Sequence, residues 1–183
     1  MAMVRTLIPA QTLTRDAALV IGGATITALS AQLAIPTLPV PITMQTLAVC
    51  LCGITLGARR GMAAQATYLL AGLAGAPVFA NGSFGPHVLA GPTGGYLIGF
   101  VLAAGLLGLL AEHGWDRKFA PCLAAMLLGH LAILTLGTGW LSLSIGLSAA
   151  VAGGFMPFLI GSLAKSVAAM LALPAAWKFT KPD

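Results

Sequence analysis

Gly91-Pro92-Thr93-Gly94-Gly95-Tyr96-Leu97-Ile98-Gly99-Phe100 is the stretch on which the fold turns. Gly91, Gly95 and Gly99 recur every four residues, and Ala103 continues the spacing. On a helix such positions form one smooth stripe, against which a second helix packs closely. Pro92 suits the first turn of a helix, where a missing N–H costs little. The stretch predicts the entry to a membrane helix whose opening polar residues lie near one surface.

The surroundings of this stretch are as apolar as the stretch itself. Hydrophobic residues make up 58% of the 183 and charged residues only 7%, against about 25% charged in soluble domains. So few charges require most side chains to face an apolar medium. The expectation is an all-α integral membrane protein, residues 1–183 forming a single transmembrane domain. The formal charge is +5, but no basic cluster exceeds two residues, so no nucleic-acid partner is expected. Cys50 and Cys52 form a C-x-C pair in an apolar run, and Cys122 stands apart. A zinc site wants more ligands at wider spacing; these thiols read as small hydrophobes, and no metal is expected.

Three blocks carry no Lys, Arg, Asp or Glu: 17–58, 61–111 and 119–164. A membrane helix needs about 20 residues, so each block holds two crossings. The expected spans are 17–35, 42–58, 61–76, 89–111, 119–138 and 146–173, six helices in a compact bundle. The second and third are short. Turns are expected at Pro36–Pro41, between Gly75 and Pro92, and between Leu136 and Ser144. The apolar run after Trp140 is too long for one perpendicular span, so a short helix or re-entrant piece is expected before Pro157. A cleaved signal over 17–35 competes with the first span, but its removal would leave five crossings.

Charge placement agrees with six crossings. Arg5 and Arg15 precede span one, Arg59 and Arg60 join spans two and three, Arg117 and Lys118 join spans four and five, and Lys178 and Lys181 follow span six. All fall on one side, while the other three connections carry no Lys, Arg, Asp or Glu. The positive-inside tendency then predicts a multi-pass membrane protein with both termini cytoplasmic.

Lys165 is the one such residue deep inside an expected span. An ammonium in hydrocarbon is costly and usually faces a polar interior or cavity; the alternative is a lysine snorkelling to the inner surface. A cavity lysine suits a substrate carboxylate, and Ser162, one turn earlier on the same face, could add a hydrogen bond. The uncharged connection Pro77–His87 holds Phe79 and Asn81 and could close over a small, mostly apolar ligand with a polar head. Asn81-Gly82 would equally make a simple turn. Tyr96, Thr43 and Gln45 put polar groups at the same surface, to bind substrate or to satisfy a neighbouring helix. His87 reads as a surface residue and His130 as a packed imidazole. Ala24 and Ala28 give the first span a small-x-x-x-small face, fit for a helix of this chain or of another protein. Neither a Walker loop, a G-x-S-x-G elbow nor an H-E-x-x-H motif is present. What remains is a protein that captures a small molecule from outside, with the energy for release coming from elsewhere.

The chain also resembles the BioY family, the biotin-binding substrate-capture (S) components of energy-coupling-factor (ECF) transporters. The resemblance rests on Pro39-Val40-Pro41-Ile42-Thr43-Met44-Gln45-Thr46, Leu56-Gly57-Ala58-Arg59-Arg60-Gly61, Gly75-Ala76-Pro77-Val78-Phe79, Gly91-Pro92-Thr93-Gly94-Gly95-Tyr96 and the 157–165 segment. It implies a six-helix S component binding biotin, without a cofactor or an ATPase site of its own. It also implies a transmembrane coupling protein and two ATP-binding subunits as partners. If the chain works without that module, a homo-dimer is the alternative assembly. Lys165 and Asn81 look like the family's polar ligand contacts, with Ser162, Tyr96, Phe79, Gln45, Thr43 and Gly91 around them; Ala24 and Ala28 look like its coupling face. One departure stands out. The final-helix pattern commonly reads Gly-Asp-x-x-Lys, and here it is Gly161-Ser162-Leu163-Ala164-Lys165. Serine cannot neutralise the lysine, so altered affinity is expected. The competing function is a structural or scaffolding membrane protein, or a self-contained small-molecule facilitator.

Overall fold

The apolar blocks fold into helices, and the proline and glycine clusters interrupt them. In a computed structural model, residues 12–180 are described; Arg5 and Lys181 lie outside the described residues. The long helices are α1 (Leu13–Gln32), α2 (Gln45–Leu56), α3 (Ala58–Leu73), α5 (Gly94–Glu112), α6 (Phe119–Ile145) and α8 (Met156–Thr180). Two short helices, α4 (Pro86–Ala90) and α7 (Leu147–Gly154), lie in connections. The only strands among the described residues are β1 (Ala34–Ile35) and β2 (Ile42–Thr43), an antiparallel pair registering Ala34 with Thr43. Pro36, Pro39 and Pro41 keep the chain between them out of a helix.

By length and composition α5, α6 and the α7–α8 run can each cross a membrane. The helices α2 and α3, of 12 and 16 residues, are about 18 and 24 Å long. The six-helix membrane fold stands, with the second and third helices short and a short helix before Pro157.

Three boundaries differ from expectation. The fourth span starts at Gly94, so Pro92 lies in the turn before the helix and Gly91 is outside the stripe. Gly95 and Gly99 do pack α5 on α6: a side chain at Gly95 would overlap Trp140, and one at Gly99 would come within 3.2 Å of the Ile133 Cα. The fifth span does not break between Leu136 and Ser144 but runs on to Ile145. Its Gly137 gives room to the Tyr96 ring, so a glycine that reads as a breaker in sequence is a packing residue. The last span ends at Thr180 instead of 173, with Pro174 inside it.

The first helix packs into the bundle against α2 and α3. Thr27 is fully buried and accepts a hydrogen bond from Gln65 Nε2 at 3.2 Å. Ala24 is buried and Ala28 half-buried. Of the small-residue face, Ala24 is thus covered by this chain's own core, while Ala28 stays partly accessible. The outward ridge of α1 is Ile21, Ile26 and Leu29.

The charged residues gather at one end. Asp16 at the start of α1 pairs with Arg60 at the start of α3, 2.6 Å apart. Beside it, the Ala58 N–H donates to Glu112 at the end of α5, 3.2 Å away. Trp177, near the end of α8, donates its Nε1–H to Asp116 at 2.7 Å, and Arg117 lies 4.7 Å over the Trp177 ring. Asp116 is 1% exposed, and burial pushes its carboxyl above the ordinary range. Cys50, Cys52 and Cys122 are buried free thiols, as small hydrophobes should be.

Candidate functional site

At the opposite, uncharged end the connections wrap a pocket of about 270 Å³, near the lower limit of small-molecule sites, roughly 300 Å³. Its wall is the hairpin, the first turn of α2, the 79–83 loop, and one face of α5, closed by Leu134 of α6 and Phe158 of α8.

The hairpin delivers the first polar group. The Met44 N–H donates to Leu33 O at 3.1 Å, tying the entry of α2 to the end of α1. Thr43 Oγ1 accepts the Gln45 N–H at 3.3 Å and donates to Gln45 Oε1 at 3.0 Å. Gln45 Nε2 donates to Tyr68 OH of α3 at 2.5 Å. Tyr68 then meets Phe79 edge-on, with ring centroids 5.4 Å apart. A side chain in place of Gly72 would overlap the Phe79 ring, so Gly72 is the seat for that ring. Phe79 is 1% exposed: it anchors the loop inward rather than at an interface.

The loop that Phe79 anchors is clasped from α1. Gln32 Nε2 donates to Phe79 O at 3.1 Å, and Gln32 Oε1 accepts the Gly82 N–H at 3.1 Å. Asn81 takes the left-handed conformation, φ 58°, which asparagine tolerates better than most residues. It is exposed, lines the pocket, and its side chain makes no hydrogen bond among the described residues. The Asn81-Gly82 turn and a place on the pocket wall are therefore compatible.

On the far wall Tyr96 donates to Gly154 O at 2.7 Å and stacks on Phe158, centroids 6.1 Å apart. Lys165 comes up from α8. Its Nζ donates to Thr43 O at 2.6 Å and to Thr46 Oγ1 at 2.9 Å, and both threonines line the pocket. Nine residues separate Lys165 from the start of α8 and 13 from Lys178, or about 14 and 20 Å along the helix. The ammonium is thus turned to the pocket end and away from the charged one. No carboxylate pairs with it among the described residues. It also lies against the first turn of α2, where the helix dipole is positive. The local charge is uncompensated, and an anion would complete it.

Of the residues expected at the site, Thr43, Gln45, Phe79, Asn81 and Tyr96 line this one pocket. Lys165 reaches it through the two threonines. Ser162 is buried one turn before Lys165 but is not on the wall. Gly91 is also off the wall, and its carbonyl accepts the Trp140 Nε1–H at 3.1 Å. Sequence reasoning missed Thr46, Thr93 and Phe158, although all three lie inside the stretches quoted above. It also missed the pairing of His130 with Ser166, 3.1 Å apart in the core.

Fold and site together define a class: a helical membrane protein with a pocket closed by loops at its uncharged end. The chain matches the BioY family over residues 3–182; it belongs to that family. It is 44% identical to the biotin transporter BioY of Thermotoga maritima, over 77% of this chain and 83% of the relative. It is 42% identical to the biotin transporter BioY2 of Lactococcus lactis, over 79% and 80%. Among solved structures it is similar to the S-component for biotin from an ECF-type ABC transporter, with TM-score 0.77, 25% identity, and coverage of 92% of this chain and 95% of the other.

Proposed function

We propose that this chain is the biotin-capturing S component of an ECF-type transporter and serves biotin uptake. The observation that carries the reading is the uncompensated Lys165 ammonium, bonded to two threonines of the pocket wall. Biotin supplies what that arrangement lacks. Its carboxylate meets the cation, its thioether body suits the apolar wall of Val40, Leu97, Phe100 and Phe158, and its ureido ring needs donors and acceptors such as Asn81 and Gln45. The charged end faces the cytoplasm with both termini, as the positive-inside tendency requires, so the pocket opens outward. ATP is hydrolysed by partner subunits, and a transmembrane coupling protein transmits that energy. The chain releases biotin inward by reorienting in the bilayer, which its apolar, charge-free flanks permit. A scaffold would need only a solid interior; the open pocket favours capture.

The test is titration of the purified chain in detergent with biotin, thiamine and riboflavin. One-site binding of biotin alone is expected. A folded chain that ignores biotin, or takes all three alike, would reject the reading.

A further inference from the structure

The cation at the pocket is placed behind its wall. Thr43 and Thr46 line the cavity, whereas Lys165 does not. Thr46 both lines the cavity and touches the ammonium. It accepts the Lys165 Nζ–H at 2.9 Å, and this is its only side-chain hydrogen bond among the described residues. A hydroxyl has one proton to donate besides its lone pairs. The usual acceptor for a helical threonine is a carbonyl three or four residues back. Here, among the described residues, neither carbonyl accepts from the Thr46 hydroxyl, and Thr43 O takes the Lys165 Nζ–H instead. Among the described residues the Thr46 proton thus has no acceptor, on a residue that faces the cavity.

We propose that Thr46 is a ligand-binding residue: its hydroxyl, polarised by Lys165 from behind, donates a hydrogen bond to the ligand's carboxylate. A hydroxyl that accepts from an ammonium is a stronger donor on its other side, because hydrogen bonds in a chain polarise one another. The lysine acts on the ligand in part through this hydroxyl. Thr43 adds no donor to the arrangement, since its own hydroxyl is committed to Gln45 Oε1. The inference rests on the reading of the pocket as a site for biotin, and it adds which group touches the acid.

The test compares biotin with its neutral methyl ester, by titration in detergent, on the wild-type chain and on Thr46→Val and Thr46→Ser. Valine keeps the shape and removes the hydroxyl; serine keeps the hydroxyl. Thr46→Val should weaken biotin about tenfold or more, as loss of one charge-assisted hydrogen bond does. It should leave the ester within about twofold, and Thr46→Ser should recover most of the loss. Melting of the ligand-free variants reports packing separately. Unchanged biotin affinity in Thr46→Val, or equal losses for acid and ester, would overturn the proposal while leaving biotin capture standing. Failure of the wild-type chain to bind biotin would overturn both.

Discussion

The two ends of the bundle solve opposite problems. At the charged end every polar group described above has a partner of its own chain: Arg60 has Asp16, the Ala58 N–H has Glu112, and Asp116 has Trp177. Those contacts join α1, α3, α5 and α8. At the other end, among the described residues, Lys165 leans on a carbonyl and a hydroxyl, the Thr46 proton has no acceptor, and the Asn81 side chain is unbonded. One end answers its charges with side chains of its own chain, and the other holds a cation that no carboxylate answers among the described residues. Burying a charge without a counter-charge is costly, and a protein keeps such an arrangement where something else completes it.

The contrast sharpens if substitutions at the two ends separate binding from stability. The largest effect is expected at Lys165. Lys165→Met should weaken biotin by about 100-fold, near the upper range for one charged contact. It should leave the melting point of the ligand-free chain equal or higher, because an uncompensated cation is removed. A melting drop with intact affinity would assign Lys165 to the scaffold. At the charged end the pattern reverses. Arg60→Met breaks a pair whose arginine is nearly buried and whose aspartate is partly exposed, and should cost about 1–2 kcal/mol of stability. Biotin affinity measured on the folded variant should stay within about twofold.

Smaller effects follow at the lid and at Asp116. Gln32 holds the 79–83 loop from outside the pocket. Gln32→Ala should raise the biotin off-rate severalfold, as loss of exposed hydrogen bonds of about 1 kcal/mol allows, read by stopped-flow or chase kinetics. An unchanged off-rate would mean that Phe79 alone keeps the loop down. Asp116 gives the smallest signal. Burial raises its folded pKa above the unfolded value, so the folded state binds more protons between the two. Stability from this group is full below the ordinary carboxylate range and falls as pH rises through the raised value. Asp116→Asn keeps an acceptor for Trp177 and should flatten that part of the melting-point profile. A slope that survives the substitution belongs to another group.

Much of this architecture was legible in the chain. Three charge-free blocks with basic turns between them gave six helices and the side on which the charges gather, because bilayer thickness and charge cost act on composition alone. The short helix before Pro157 was legible for the same reason: too much apolar length for one span. Glycines were harder. Gly95 read as part of a packing stripe and Gly137 as a breaker, yet both make room for a ring, of Trp140 and of Tyr96. The site divided in the same way. Residues whose type is odd for a membrane, such as Lys165 and Gln45, announced themselves. Thr46 did not, because its meaning lies in Lys165, 119 positions away, and Ser162 was placed near the ligand by its spacing from that lysine and by the family pattern.

A density map of the detergent-solubilised chain with biotin bound tests the central claim most directly. The account predicts biotin inside the pocket formed by the hairpin, the 79–83 loop, α5 and α8. Its carboxylate should lie within about 3 Å of Thr46 Oγ1 or Lys165 Nζ. Biotin seated at the charged end or on the outer surface, with the pocket empty, would contradict it.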